Sequence, residues 1–168
     1  MAPRSPLHDV ELPAGLRELP LRAQVNLRAE LPGLPGPGTA LRDGERTTLW
    51  LGPDEWLVTG PPGTAAEIER ELRDAVAATG GWGAVTDVSA QRTTLELSAP
   101  GARDVLAKGC SLDLHPRAFG PGHCAGTDLA RANVVLHQVD ARPTYELLVA
   151  ASFAAYTAAW LADAMEDG

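Results

Sequence analysis

Cysteine is scarce in this 168-residue chain, with only Cys110 and Cys124. A disulfide framework is therefore not expected to hold the fold, and a reducing cytoplasm is the expected home. Long apolar runs are missing too, so no transmembrane helix is expected. The opening MAPRSPLHDVELPAG lacks the apolar core of a secretory signal. Basic charge is in deficit: Lys+Arg 14 against Asp+Glu 22 leaves a formal charge of -8. That balance disfavours nucleic acid and anionic membranes as partners. Neither G-x-G-x-x-G after a strand nor G-x-x-x-x-G-K-[ST] occurs, so this chain alone is not expected to bind flavin or NAD.

What is present is enough for a core. A chain of this length buries roughly 70% of its unfolded surface and needs neither disulfide nor metal to fold. Residues 1–20 carry Pro3, Pro6, Pro13 and Pro20 and read as a leader, flexible or draped over a partner. Residues 21–168 read as a single α+β domain. Leu21, Ala23, Val25, Leu27 and Ala29 alternate with polar residues, the period of a half-exposed strand. LPGLPGPG is a loop. Thr47–Leu51 and Glu55–Thr59 predict a hairpin flanked by Trp50 and Trp56, and core is the expected place for such aromatics.

Thr64 to Thr79 is the clearest helix. Thr64 and Glu67 fit a capping box, and Ile68, Leu72, Ala75, Val76 and Thr79 lie on one stripe. Glu69 and Arg73 pair one turn apart, and Gly80-Gly81 ends the helix. Val85 to Thr127 organises the rest. Two short strands flank a Ser89-Ala90-Gln91 turn, and a short helix follows between Pro100 and Gly109 with Ala102, Val105 and Leu106 buried. Gly120-Pro121-Gly122 turns the chain toward His123 and Cys124. Ala132–Val139 and Thr144–Ala150 predict two more strands. Ser152 is the expected cap of a last helix with Phe153, Tyr156, Trp160, Leu161 and Ala164 near one stripe. Strand pairs punctuated by about three helices point to mainly antiparallel sheet, and two ββα units point to an internal duplication.

Candidate chemistry is sparse. Cys110, His115, His123 and Cys124 share a window, but no C-x-x-C pair is present, and small buried thiols with loop histidines are the expected roles. Ser89 lies near Asp87 without G-x-S-x-G. Asp87, Asp113 and Glu146 are acidic residues in or beside apolar segments, and turn or strand-end acid is their expected role. No catalytic, cofactor-binding or metal-ligating residue is accordingly expected in this chain.

The order D-V-S-x-x-R (Asp87, Val88, Ser89, Arg92), followed by C-x-L-D-L-H-P-x-x-F-x-x-G-x-C-x-x-T, resembles the gamma subunit of the heterotetrameric sarcosine oxidases. The second motif falls on Cys110, Leu112, Asp113, Leu114, His115, Pro116, Phe119, Gly122, Cys124 and Thr127. QVNLR from Gln24, LGPDEWLV from Leu51 and the segment from Tyr145 to Ala164 extend the likeness over most of the chain beyond about residue 20. The resemblance implies a shortened aminomethyltransferase-like, folate-binding fold. It implies an assembly or scaffold subunit, not catalytic on its own. The complex demethylates sarcosine to glycine, forms hydrogen peroxide and passes the one-carbon unit to tetrahydrofolate. FAD, FMN and NAD are implied for other chains, and the partners are the alpha, beta and delta subunits, chiefly alpha. An independent folate-binding enzyme or regulator is the alternative. Trp82, Arg92, His115 and Phe119 are the expected interface residues, because loops and turns place such groups at surfaces.

Overall fold

The computed structural model describes residues 4–167. Its elements are β1 (Leu16–Glu18), β2 (Ala23–Arg28), β3 (Ala40–Asp43), β4 (Arg46–Gly52), β5 (Glu55–Gly60), α1 (Ala65–Thr79), β6 (Ala84–Asp87) and β7 (Arg92–Leu97). There follow α2 (Ala102–Ala107), β8 (Cys124–Leu129), β9 (Ala132–Asp140), β10 (Thr144–Ala150), a 3-10 turn (Ala151–Phe153) and α3 (Ala154–Glu166). The fold is α+β, with two five-stranded antiparallel sheets and three α-helices.

The chain forms two compact units. One is Leu21–Ala90. The other joins the described chain up to Pro20 with the chain from Gln91 onward. The expected leader is accordingly more than a leader: β1 pairs with β7, and Leu7 and Leu16 belong to a core cluster. Residues 1–3 of that leader, and Gly168 of the expected domain, lie outside the described residues. The apolar residues between the prolines are what dock this segment.

The two sheets share one topology. Their orders are β3-β4-β5-β2-β6 and β8-β9-β10-β7-β1. In each, a first strand (β2 or β7) pairs with the last strand of a three-strand meander, and a helix (α1 or α3) follows that meander. The fifth strand comes after the helix in one unit (β6) and from the start of the chain in the other (β1). The repeat is thus strand, meander and helix, not the ββα of the sequence pattern. Short, exposed β3 hid it, since three of its four residues carry no burial signal.

In Leu21–Ala90, β2 is central, between β5 and β6, and its expected half-exposed character fails at Gln24, which is 1% exposed. A bulge in the β4–β5 hairpin sets Trp50 directly opposite Trp56. Both pack with the Val25–Leu27–Ile68 cluster, and the Trp56 indole N–H donates to the Pro35 carbonyl at 2.9 Å. The α1 stripe narrows to Ile68 and Val76 with Leu72 beside them, while Ala75 and Thr79 are exposed. The capping box does not form. The Thr64 hydroxyl donates to the Pro61 carbonyl at 2.8 Å, and Glu67 pairs with Arg46 at 3.0 Å. Arg73 and Glu69 do pair, at 2.6 Å, and Gly80 closes the helix at φ 67, a left-handed conformation that suits glycine.

In the second unit, Leu95, Leu97, Leu136, Tyr145, Leu147, Ala158 and Leu161 build the core. The buried face of α3 is Ala154, Thr157, Ala158, Leu161 and Ala164, mostly small residues. The expected aromatic stripe is not its core face: Phe153 and Tyr156 are exposed and Trp160 is half-buried. Ser152 lies in the 3-10 turn and caps nothing; no side chain caps the α3 start.

The β9–β10 turn is held by one carboxylate. Asp140 accepts the backbone N–H of Arg142 and of Thr144, each at 3.0 Å, and the Arg142 guanidinium at 2.6 Å. The Arg142 side chain, desolvation notwithstanding, lowers the Asp140 pKa from 3.8 to about 2. Because the folded value is depressed, the stabilisation is present above the unfolded value and is lost as pH falls from about 4 to about 2. Asp140→Asn should flatten the pH dependence of stability across that window, read by acid-unfolding circular dichroism. Asp140→Ala should cost about 1–2 kcal/mol at neutral pH through the lost acceptors.

Candidate subunit interface

Side chains singled out for chemistry are occupied with holding turns. The Ser89 N–H and hydroxyl both donate to Asp87 Oδ1, at 2.9 and 2.6 Å, and Ser89 Oγ in turn accepts the Gln24 N–H at 2.9 Å. This is a brace across the strand end, with the hydroxyl given to a carboxylate. Asp113 accepts the His115 N–H at 3.0 Å, and His115 Nδ1 accepts from the Arg117 N–H at 3.3 Å. His123 Nδ1 accepts the Gly120 N–H at 2.7 Å. Cys110 bridges to Leu129 and sets its sulfur 3.6 Å from Thr127 Oγ1, while Cys124 is buried at the start of β8. Among the described residues, no three or more His, Cys, Asp or Glu side chains converge on a point that could hold a metal.

Glu146 sits differently. Register aligns Arg17, Glu96, Glu146, His137 and Cys124 across all five strands of its sheet, one residue per strand. Arg17 Nε donates to Glu96 Oε1 at 2.7 Å, and His137 Nδ1 lies 3.9 Å from Glu146 Oε2. The row runs from exposed Arg17 inward and sets Arg17 beside Glu96 and the His137 imidazole beside Glu146. Of this row the sequence reading named Glu146 and Cys124, neither as part of a row. A polar residue inside the apolar run Val134–Val139 was the signal for His137, but the alignment itself depends on which strands pair.

The four expected interface residues differ in exposure. Trp82 is 97% exposed in the loop between α1 and β6. Arg92 opens β7 opposite Ala150 and is half-buried. His115 is exposed in its turn. Phe119 contradicts its expected surface role: it is 6% exposed, belongs to the core and lies 5.7 Å from the His123 ring. The loop that carries it is tied to the sheet, since the Gly122 N–H donates to the Gln138 carbonyl at 2.9 Å.

Two exposed aromatic surfaces remain. Phe153 and Tyr156 meet edge to face at 6.2 Å on the outer side of α3, where the Tyr156 hydroxyl accepts the Arg131 N–H at 3.3 Å. Trp82 borders an open cavity of about 430 Å³ shared with Arg73, Val76, Ala77 and Val85. Arg73 reaches over it to the Val85 carbonyl at 3.2 Å. Large aromatic side chains in the open are what protein–protein contacts use, since they bury much area at low cost in side-chain freedom. No helix is long and apolar enough to cross a membrane among the described residues.

Residues 22–167 match the family described as sarcosine oxidase, gamma subunit. The chain is 41% identical over 172 residues to sarcosine oxidase subunit gamma of Corynebacterium sp. (strain P-1), covering 90% of this chain and 80% of that one. It is 41% identical over 169 residues to the subunit of the same name from Arthrobacter sp, with the same coverages. Among solved structures, a chain of the heterotetrameric sarcosine oxidase from Corynebacterium sp. U-96, in complex with pyrrole 2-carboxylate, superposes with a TM-score of 0.85. That pair is 33% identical, over 99% of this chain and 96% of the other. The glycine cleavage aminomethyltransferase T from Bartonella henselae matches at TM-score 0.64 and 16% identity, over 88% of this chain but 45% of its own length. This last likeness concerns the fold alone, and it makes the present chain a shortened form of that architecture.

Proposed function

We propose, for a chain that belongs to the sarcosine oxidase gamma subunit family, the role of a non-catalytic assembly subunit in a heterotetrameric sarcosine oxidase. The observation that carries this reading is the likeness, end to end, to a chain of a solved heterotetrameric sarcosine oxidase. The engagement of Ser89, Asp87, His115 and His123 in turn contacts supports the same view, because none is poised as nucleophile or base. The chain acts by burying apolar and aromatic surface against its neighbours, so that domains carrying the reaction are held in place.

In this reading the partners are the alpha, beta and delta subunits, chiefly alpha. FAD, FMN and NAD reside on those chains, as does the site where tetrahydrofolate takes the one-carbon unit. The complex works in the cytoplasm. Interface residues are drawn from Trp82, Arg92 and His115; Phe119 supports the surface from beneath. Co-expression of the tagged chain with the other three subunits, followed by pull-down and an absorbance spectrum, tests this. A yellow complex that oxidises sarcosine is expected, with the chain alone colourless. Flavin absorbance that stays with the isolated chain would overturn the non-catalytic role, and failure to co-purify would overturn the subunit role.

A further inference from the structure

We propose that the free edge of β6, with Trp82 beside it, accepts an added β-strand from another subunit of the complex. The proposal rests on the subunit reading above and adds where, and by what chemistry, one contact is made. In an antiparallel pair, residues alternate between those that exchange backbone hydrogen bonds and those that do not. The Val88 N–H donates to the Gln24 carbonyl at 2.8 Å, which fixes the phase of the β2–β6 pair. Thr86 and Ala84 then bond to β2, opposite Asn26 and Arg28. Val85 and Asp87 direct their N–H and C=O groups to the other side, where β6 is the last strand of its sheet.

Arg73 takes the Val85 carbonyl. The Val85 N–H, the Asp87 N–H and the Asp87 carbonyl are left facing outward. Ala84, Thr86 and Asp87 are exposed. Such a row of aligned donors and acceptors recognises extended polypeptide backbone and little else. Trp82, two residues ahead of the strand, provides the apolar anchor, and its cavity takes an apolar side chain of the incoming segment. Charge selects further. The edge ends at exposed Asp87, while the Arg73 guanidinium sits at the Val85 carbonyl, so the added segment is neutral or basic where it passes Asp87 and not basic where it passes Arg73. The occupant is therefore a short extended stretch of a partner subunit, apolar at Trp82 and uncharged or basic at Asp87.

Amide hydrogen exchange, compared between the free chain and the reconstituted complex, reads the edge directly. Slowing of about tenfold or more at the Val85 and Asp87 amides is expected in the complex only, with the β2-bonded Thr86 amide as internal reference. Trp82→Ala should weaken assembly about 30-fold, as loss of an interface hot spot does, with the melting temperature of the free chain unchanged. A complex that forms and oxidises sarcosine while residues 84–87 exchange as in the free chain overturns the edge proposal and leaves the subunit role standing. Unaltered assembly of Trp82→Ala overturns it equally. Protection that is already present in the free chain and grows with its concentration assigns the edge to a second copy, again against the proposal. Absence of any complex with the wild-type chain counts against the subunit role itself.

Discussion

Leu147→Ala is expected to lower unfolding stability by about 2–5 kcal/mol, the range for truncating a leucine in a packed core. Leu147 is fully buried in β10, where it lies between Leu95 of β7 and Leu136 of β9, both of them buried as well. Those neighbours are backbone-tethered on adjacent strands and cannot collapse into the space, so the cost includes the cavity as well as the lost transfer energy. For a chain of this size that amounts to a fall of about 5–15 °C in melting midpoint, read by calorimetry or circular dichroism. Trp82→Ala supplies the contrast, since a side chain in open solvent shifts stability by no more than about 0.5 kcal/mol. A protein in which Leu147→Ala melts like wild type would not have this sheet at its core. The comparison also separates the two kinds of large apolar residue here: one set is packed in the core, the other stands in solvent.

That separation was only half legible in the sequence. Alternation found β2 because every second residue must face a core, and Gly52-Pro53-Asp54 marked the hairpin because turn chemistry is local. Local chemistry misled at Asp87-Val88-Ser89. An aspartate bonded to a serine two residues on suits a hairpin, but here it braces the exit from one sheet before the chain enters the other. Nothing within six residues distinguishes the two. Thr64 and Glu67 had the spacing of a capping box, and Arg46, 21 residues upstream of the glutamate, took it instead. In α3 the aromatics signalled core, although its buried face is built of alanine, threonine and one leucine.

The candidate site shows the same limit. The family was readable from motifs in order, whereas the Arg17–Glu96–Glu146–His137 row and the β6 edge both depend on strand neighbours that no local pattern encodes. The phase of one hydrogen bond, Val88 to Gln24, determines which amides face outward. Side-chain type alone placed Trp82 and Phe119 in one class. Burial puts them at opposite extremes.

The second large effect falls at Gly109, just beyond α2. A β-carbon there would lie 2.6 Å from both Cζ2 and Cη2 of Trp160 and 3.2 Å from the Ala130 nitrogen. The glycine is also pinned by its own backbone, since its carbonyl accepts the Ala130 N–H at 2.9 Å and its N–H donates to the Leu106 carbonyl at 3.1 Å. Lys108 next to it donates to the Ala164 carbonyl at 2.6 Å, tying the end of α2 to α3. With the chain so anchored, an added methyl must displace the indole, and Gly109→Ala should cost about 1–3 kcal/mol by overpacking. The cause can be checked by a double-mutant cycle. Trp160→Leu loses aromatic area and is destabilising alone, yet in the Gly109→Ala background it removes the clash. The two changes should therefore cost less together than their sum, by about 1 kcal/mol. Additivity within about 0.5 kcal/mol would mean that the indole yields freely and that Gly109 is required for some other reason. The expected coupling would identify a close contact between the α2 exit and α3, which gives the small buried residues of α3 their purpose: they bring that helix near enough for the indole to reach a bare backbone.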